Sequence, residues 1–149
     1  MSTTVAARAR AAVPAAIEQL STYLRTPAIS CDKAHADDVR ALAAKVAADL
    51  AALGLESTVR ELPDALPLVA ASWMKAPGKP TILIYGHLDL QPVKGEIWTS
   101  PPHEPTVRDG RLYARGAADD MGGWVSHMRS EEHTSELQSP CNLVCRLLL

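Results

Sequence analysis

Residues 81–92 read TILIYGHLDLQP, an apolar run that is followed at once by polar side chains. Because the run at 81–85 does not alternate between apolar and polar residues, it predicts a strand that is buried on both faces. His87 and Asp89 come directly after this strand. In open α/β sheets, ligands bind beyond the carboxyl ends of the strands. The stretch therefore predicts the centre of a sheet and a candidate site beside it.

Two helices are predicted before this strand. The first is expected over 13–23, because Pro14 is favoured at the first position of a helix and apolar residues follow at helical spacing. The second is expected over 35–53, where an apolar stripe repeats with the helical period. Gly54 then favours a helix end, since glycine adopts the backbone conformation that commonly terminates helices.

Further strands are expected over 56–62 and 68–74, and the second of these is expected to pair with the strand at 81–85. The Asp-Gly pair at 109–110 predicts a small hairpin. Residues 116–123 form a glycine-flanked loop that leads into a third helix. Helices that lead into strands, with a buried strand at the centre, indicate the α/β class.

The composition excludes several classes of protein. The 149 residues carry 15 basic and 17 acidic side chains and a net charge of -2. No basic stripe stands out, so we expect no nucleic-acid partner. The apolar runs are too short to span a bilayer, so we expect no membrane partner. No secretory apolar core is present, which favours a cytoplasmic location. Cys31, Cys141 and Cys145 form no recognisable zinc or disulfide framework.

From Arg129 onward the sequence changes in character. Residues 129–139 read RSEEHTSELQS, which resembles a common sequencing-library adapter translated in frame. The alternative is an ordinary polar linker before an apolar C-terminal strand. We expect native protein over 1–128 and a non-native tail over 129–149. The acidic and histidine side chains of the tail are therefore left out of the candidate site.

The first polar cluster is His87 with Asp89. The two residues are two positions apart, so in an extended chain their side chains point to the same side. Histidine is a good nitrogen ligand for zinc, and a ligating histidine usually gives its other N–H group to a carboxylate. His87 as ligand and Asp89 as its partner would fit this arrangement. The alternative is a solvated strand end that carries two polar residues.

The second cluster is residues 115–123, which read RGAADDMGG. The neighbouring carboxylates of Asp119 and Asp120 repel each other, so they are best explained by a nearby cation or by a helix N-terminus. A carboxylate can bridge two metal ions, whereas the alternative is an N-cap of the helix that begins near Met121. Both interpretations can hold together, with Asp119 turned toward the site and Asp120 capping the helix.

Together these motifs resemble a known family. HLD at 87–89, followed by GAADDMG at 116–122, is similar to the zinc-dependent dipeptidase, carboxypeptidase and deacylase metallopeptidases. TPAIS at 26–30 and DGRLYARG at 109–116 agree with other motifs of that family. YGHLDLQP at 85–92 most resembles the carnosinase-type dipeptidase branch.

The resemblance implies an α/β fold, the N-terminal part of a zinc-exopeptidase-like catalytic domain with helices packed on a mixed sheet. It implies that His87 binds one metal ion and that Asp119 bridges two, in a loop where the peptide between Asp119 and Asp120 is cis. It assigns Asp89 to the catalytic centre as the carboxylate that holds His87. Zinc is the implied cofactor, as two divalent ions in the intact protein.

Two residues depart from the family pattern. Met121 stands where the family usually has lysine, outside the ligand set. His103 stands where an aromatic residue is common, and we expect it to be a loop residue and not a ligand. His35 and His127 match no family ligand, so we expect them to be surface or packing residues.

The implied activity of the intact protein is metal-dependent hydrolysis of peptide bonds, dipeptides above all. The family's downstream Glu-Glu pair and late histidine cannot be placed in 1–128, so the 149-residue chain itself is expected to be inactive. A deacylase for N-acyl amino acids and a non-catalytic binding or scaffold module are the alternatives. The expected partners are a small peptide or N-acyl amino acid substrate and, as in many members, a second copy in a homodimer.

Overall fold

The computed structural model describes residues 2–131 and 142–148. Within these residues the chain forms helices and strands that build a mixed four-stranded sheet and a separate hairpin. The helices are α1 (Ser2–Leu24), α2 (Ala36–Ala52) and α3 (Met121–Glu131), with a short 3₁₀ turn at Lys33–His35. The strands are β1 (Glu56–Arg60), β2 (Leu68–Trp73), β3 (Thr81–His87), β4 (Thr106–Arg108), β5 (Arg111–Tyr113) and β6 (Asn142–Leu148).

Helix α1 begins earlier than its sequence pattern predicts. It starts at Ser2, and Pro14 lies inside it instead of opening it. Proline cannot donate the backbone hydrogen bond that an interior position makes. The residues around Pro14 are rich in alanine, the strongest helix former, and their propensity offsets this loss. The helix ends at Leu24, one residue beyond the predicted end.

Helix α2 agrees closely with its prediction. The Asp32 side chain accepts a hydrogen bond from the Ala34 amide at 2.9 Å and so caps the 3₁₀ turn before the helix. Gly54 has a φ of 86°, the left-handed conformation that ends the helix. One face of α2 is buried and packs against β1 and β2. The buried residues of this face are Val39, Leu42, Ala43, Val46 and Leu50.

The predicted pairing of the second and third strands is wrong. The sheet order is β1-β2-β6-β3, so β6 lies between β2 and β3. It pairs antiparallel with β2 and parallel with β3. A short connection favours pairing of successive strands, but here a strand from far along the chain supplies the hydrogen bonds to both. This strand lies inside 129–149, the segment that we expect to be a non-native tail.

Strand β3 is also less buried than its apolar sequence predicts. Leu83 is 62% exposed and Tyr85 is 60% exposed, on one face, and Ile82 is 50% exposed on the other. β3 lies at an edge of the sheet, and α3 is the helix that packs on it within the described residues. An apolar run shows that side chains can be buried, but a layer must also be present to cover them.

The predicted hairpin is confirmed. β4 and β5 pair antiparallel, and the turn between them is formed by Asp109 with φ 49° and Gly110 with φ 71°. Two successive positive φ values are the geometry of the tight turn that Asp-Gly favours. None of the helices that the structure describes is long and apolar enough to cross a membrane.

The core lies between the helices and the sheet, and it reaches the end of β3. Tyr23 of α1 and Trp124 of α3 are both buried, with ring centroids 5.2 Å apart. Leu88 and Leu90, which follow β3, are buried in the same cluster. The side chains of His87 and Asp89 therefore alternate with core residues, and this alternation turns them away from the core.

Candidate metal centre

His87 is the last residue of β3, the strand on which α3 packs. The indole N–H of Trp124 donates a hydrogen bond to the His87 carbonyl at 3.0 Å. A Cβ atom on Gly86 would lie 3.1 Å from Trp124 and 2.9 Å from an Asp120 oxygen. Only glycine permits this close approach without displacing a neighbour. Gly86 thus allows α3 to pack closely against the end of β3.

The structure brings His87, Asp89 and Asp119 together, as the sequence predicts. His87 Nε2 lies 3.0 Å from Asp119 Oδ1. On the other side of the ring, His87 Nδ1 lies 3.2 Å from Asp89 Oδ1 and 3.2 Å from the Asp89 carbonyl oxygen. One imidazole therefore faces a carboxylate on each side.

The two neighbouring aspartates take different directions. The peptide bond between Asp119 and Asp120 is cis, as the family resemblance implies. The Asp119 side chain is 85% exposed, and its carboxylate faces Nε2 of His87. The Asp120 carboxylate accepts a hydrogen bond from the His87 amide at 3.3 Å. The Asp120 side chain was expected to cap α3, but it instead connects the start of α3 to the end of β3.

The loop that carries the aspartates is compact. The Asp120 carbonyl accepts hydrogen bonds from the amides of Gly123 and Trp124 at 2.9 Å and 3.2 Å, which continues the loop into α3. A Cβ atom on Gly122 would lie 2.2 Å from the Ala117 carbonyl oxygen, so this position requires glycine. The glycines of the motif hold the loop tightly against the helix start.

Ser30 is a site residue that the sequence pattern did not single out. Its hydroxyl donates a hydrogen bond to Asp89 Oδ2 at 2.5 Å. Nearby, the Leu90 amide donates to the Ala28 carbonyl at 2.8 Å. The signal in the sequence was the TPAIS motif at 26–30, which marked the family but gave no role to the serine.

Arg115 is a second residue without a predicted role. Its guanidinium bonds to the Glu96 carboxylate, donates to the Pro92 carbonyl at 3.4 Å and lies 5.1 Å from the ring centre of Trp98. The indole N–H of Trp98 also donates to Glu96 at 3.0 Å. These contacts fasten the loop after β3 to the turn between β5 and the aspartate loop.

The burial of His87 and the carboxylates around it shift its pKa in opposite directions. Burial lowers the pKa of His87, but the hydrogen bond with Asp119 and the interactions with Asp89 outweigh it and raise the pKa above 6.5. The two carboxylates therefore favour the protonated form of the ring. A metal ion would compete with a proton for Nε2.

The donor atoms fit a divalent metal ion. Zinc binds histidine nitrogen and carboxylate oxygen at about 2.0–2.2 Å, and the 3.0 Å between Nε2 and Asp119 Oδ1 is short enough for both to bind one ion. Asp89 meets the other ring nitrogen, as the partner of a metal-bound histidine does. Over 2–131 and 142–148, no group of three or more such side chains could hold an ion by itself.

The other histidines in the described part of the chain make their contacts elsewhere. His35 bonds to Asp38 at 2.7 Å, and His127 is exposed on α3. His103 lies in the loop before β4, where burial lowers its pKa below 6.5 and the backbone of Leu24 opposes that effect. Met121, where the family usually has lysine, is fully buried in the core.

Comparison with known proteins gives a consistent picture. The sequence profile of Peptidase family M20/M25/M40 matches residues 83–144. The chain is 37% identical over 97 residues to the cysteinylglycine-S-conjugate dipeptidase of Corynebacterium striatum, a match that covers 64% of this chain and 21% of that protein. It is 30% identical over 145 residues to the Cys-Gly metallodipeptidase dug1 of Schizosaccharomyces pombe, covering 86% of this chain and 30% of that protein. Its fold matches human carnosine dipeptidase 1 with a TM-score of 0.84 at 24% identity, covering 93% of this chain and 32% of that one.

These matches confirm the resemblance to the metallopeptidase family and its dipeptidase branch, and they confirm the fold class. The chain spans less than a third of the length of the two relatives named here. The profile match extends through 129–144, into the segment 129–149 that we expect to be a non-native tail. The origin of that segment stays a prediction.

Proposed function

We propose that this chain is the N-terminal part of a metallodipeptidase, and that the whole protein hydrolyses small peptides with two divalent metal ions, zinc in the first place. The observation that carries the proposal is the position of His87 between two carboxylates, with Asp119 at 3.0 Å on one side and Asp89 at 3.2 Å on the other. The dipeptidase names of the relatives favour this substrate class.

Each residue has a distinct role in the proposal. His87, through Nε2, and the exposed carboxylate of Asp119 would hold the metal ions. The Asp89 carboxylate accepts a hydrogen bond from the Nδ1–H group of His87, which fixes the tautomer and orientation of the ring. Asp120 and Trp124 hold the backbone of His87 in place through its amide and its carbonyl. When bound, such ions polarise a substrate carbonyl and lower the pKa of water.

We further propose that residues 1–149 alone are inactive. His87 and Asp119 supply one nitrogen and one carboxylate to the centre, and two donors hold an ion weakly compared with a complete ligand set. The general base of the family has no counterpart among the residues that we expect to be native. Hydrolysis of dipeptides by the purified 149-residue chain, abolished by a chelator, would overturn this part.

The origin of residues 129–149 can be tested on the gene. We propose that native sequence ends near Met128 and that 129–149 comes from an adapter. Resequencing the source DNA through the codon for Arg129 tests this directly. A frame that continues into a long chain with a Glu-Glu pair and a late histidine supports the proposal. A gene that ends as written contradicts it and favours a binding role or no role.

The substrate is tested on the full-length protein. We expect zinc-dependent hydrolysis of Cys-Gly and β-Ala-His that exceeds the release of acetate from N-acetyl amino acids. His87→Ala and Asp119→Asn are expected to lower kcat/KM by at least about 100-fold, since each removes a metal ligand. His127→Ala, an exposed histidine on α3, is the matched control and should leave the rate unchanged.

Two outcomes would favour the alternatives. Faster hydrolysis of N-acyl amino acids than of dipeptides would make the protein a deacylase of the same family. Zinc binding that His87→Ala leaves unaffected would favour a non-catalytic module. The homodimer and the cytoplasmic location remain predictions, which light scattering of the full-length protein and cell fractionation test.

A further inference from the structure

The connection between α1 and α2 reaches the candidate metal centre through one side chain. Ser30 donates its hydroxyl hydrogen to Asp89 Oδ2 at 2.5 Å, across 59 positions of sequence. Asp89 Oδ1, the other oxygen of the same carboxylate, lies 3.2 Å from His87 Nδ1. Ser30 therefore contacts the carboxylate that contacts the histidine, without touching the histidine itself.

We propose that Ser30 is a positioning residue, which holds the Asp89 carboxylate against His87 and thereby strengthens metal binding at that histidine. The proposal rests on the proposed function, because it takes His87 as a metal ligand. It adds a residue outside the HLD and aspartate motifs to the machinery of the site.

The need for such a residue follows from a competition at His87 Nδ1. Two acceptors lie at 3.2 Å from this nitrogen: the carboxylate of Asp89 and the backbone carbonyl of the same residue. The ring has one Nδ1 proton to give. A hydrogen bond to a charged carboxylate is stronger than one to a neutral carbonyl, and it raises the basicity of the ring toward a metal ion.

Ser30 favours the Asp89 carboxylate over the Asp89 carbonyl as the acceptor, because its hydroxyl bonds to the other carboxylate oxygen, Oδ2. With Oδ2 bonded to the hydroxyl, Oδ1 is directed toward the imidazole. The Asp89 side chain is 22% exposed, so water can solvate it if the serine hydroxyl is removed. The carboxylate would then be free to turn away, and the Nδ1–H group would donate its hydrogen bond to the Asp89 carbonyl instead.

The hydroxyl is itself held in place by the backbone around it. Ala28 is fully buried and Ile29 is 6% exposed, so the segment before Ser30 is anchored in the core. The Leu90 amide donates to the Ala28 carbonyl at 2.8 Å, which ties this segment to the chain beyond Asp89. Asp89 is thus flanked by one backbone contact and one side-chain contact from the same segment.

The test measures zinc affinity of the full-length protein by competition with a chelator of known affinity. Loss of a partner that orients a ligand typically lowers metal affinity about 10–100-fold, and we expect this for Asp89→Ala. Ser30 acts through Asp89, so Ser30→Ala should lower affinity less, by about 3–10-fold. Ser30→Thr keeps a hydroxyl and should restore most of the affinity.

A double-mutant cycle separates positioning from a general effect on the fold. If Ser30 acts through Asp89, Ser30→Ala should change nothing further once Asp89 is alanine. Ser126→Ala is the matched control, because the Ser126 hydroxyl bonds only to the Gly123 carbonyl of its own helix at 2.6 Å, among the contacts described. It should leave zinc affinity unchanged. If Ser30→Ala does not fold, Ser30→Gly also removes the hydroxyl, adds no zinc ligand and carries the same test.

The outcomes distinguish this inference from the proposed function. Equal losses from Ser30→Ala with and without Asp89 would show a structural role and overturn the inference. An unchanged affinity in Ser30→Ala, beside a large loss in His87→Ala, would also overturn it and leave the proposed function standing. An unchanged affinity in His87→Ala would overturn both.

Discussion

Replacing Trp124 by alanine is expected to destabilise the chain by about 3.5–6.5 kcal/mol. The side chain is 2% exposed, and truncation of a buried tryptophan costs about 3–5 kcal/mol. The variant also loses the hydrogen bond to the His87 carbonyl, which adds about 0.5–1.5 kcal/mol. Native proteins have a total stability of about 5–15 kcal/mol, so a change of this size is a large share of it.

Trp124→Phe separates the two contributions. Phenylalanine keeps an aromatic ring against Tyr23 but cannot donate to the carbonyl, so we expect a loss of about 1–2 kcal/mol. The assay is urea unfolding followed by far-ultraviolet circular dichroism, because fluorescence would change with the substituted residue itself. Trp98→Phe is the matched control, since the Trp98 indole bonds to Glu96 at an exposed position, and it should cost under about 1 kcal/mol. A loss below about 1 kcal/mol in Trp124→Ala would refute the packing of α3 on the end of β3.

Three further changes follow from the same structure. In the metal-free chain, nuclear magnetic resonance titration should give His87 a pKa above 6.5 and His103 one below it; equal values would contradict the burial and charges described. With these signs, His87 stabilises the fold at low pH and loses that contribution as pH rises through its folded pKa, whereas His103 destabilises the fold as pH falls below 6.5. Burial, with the Asp49 carboxylate, raises the pKa of Tyr23 above 10.0, so stability should fall as pH rises beyond 10.0, and Tyr23→Phe should abolish that alkaline loss in pH-dependent urea unfolding. Arg115→Ala should speed proteolysis of the loop after β3, and Arg115→Lys should not restore resistance because an ammonium cannot stack on an indole as a planar guanidinium does; equal rates in both variants and the parent chain would refute the role of Arg115.

Local patterns predicted the elements whose causes are local. Helix α2 carries its apolar stripe and its terminal glycine within a single segment, and the Asp-Gly turn needs only its own two residues. The grouping of His87, Asp89 and Asp119 was also predicted: strand periodicity places Asp89 beside His87, and the family resemblance adds Asp119. Their roles as metal ligands and partner remain proposals.

The failures have causes that lie elsewhere in the chain. The neighbour of β2 could not be predicted from the short connection to β3, because a strand at 142–148 enters between them. The exposure of Leu83 depends on which layers cover the sheet, which an apolar run does not encode. Ser30 lies 59 positions from its partner Asp89, so no spacing rule connects them. The interior position of Pro14 follows from alanine-rich neighbours that outweigh a single unfavourable residue.

The exposed edge of β3 has a consequence for handling the protein. Among the described residues β3 pairs on one side only, and its outer backbone groups, beside the exposed side chains of Ile82, Leu83 and Tyr85, form a template on which a second chain can add a strand. Samples at high concentration will therefore tend to precipitate through this edge. A lysine at position 83 would oppose such stacking, because like charges would meet wherever two edges come together.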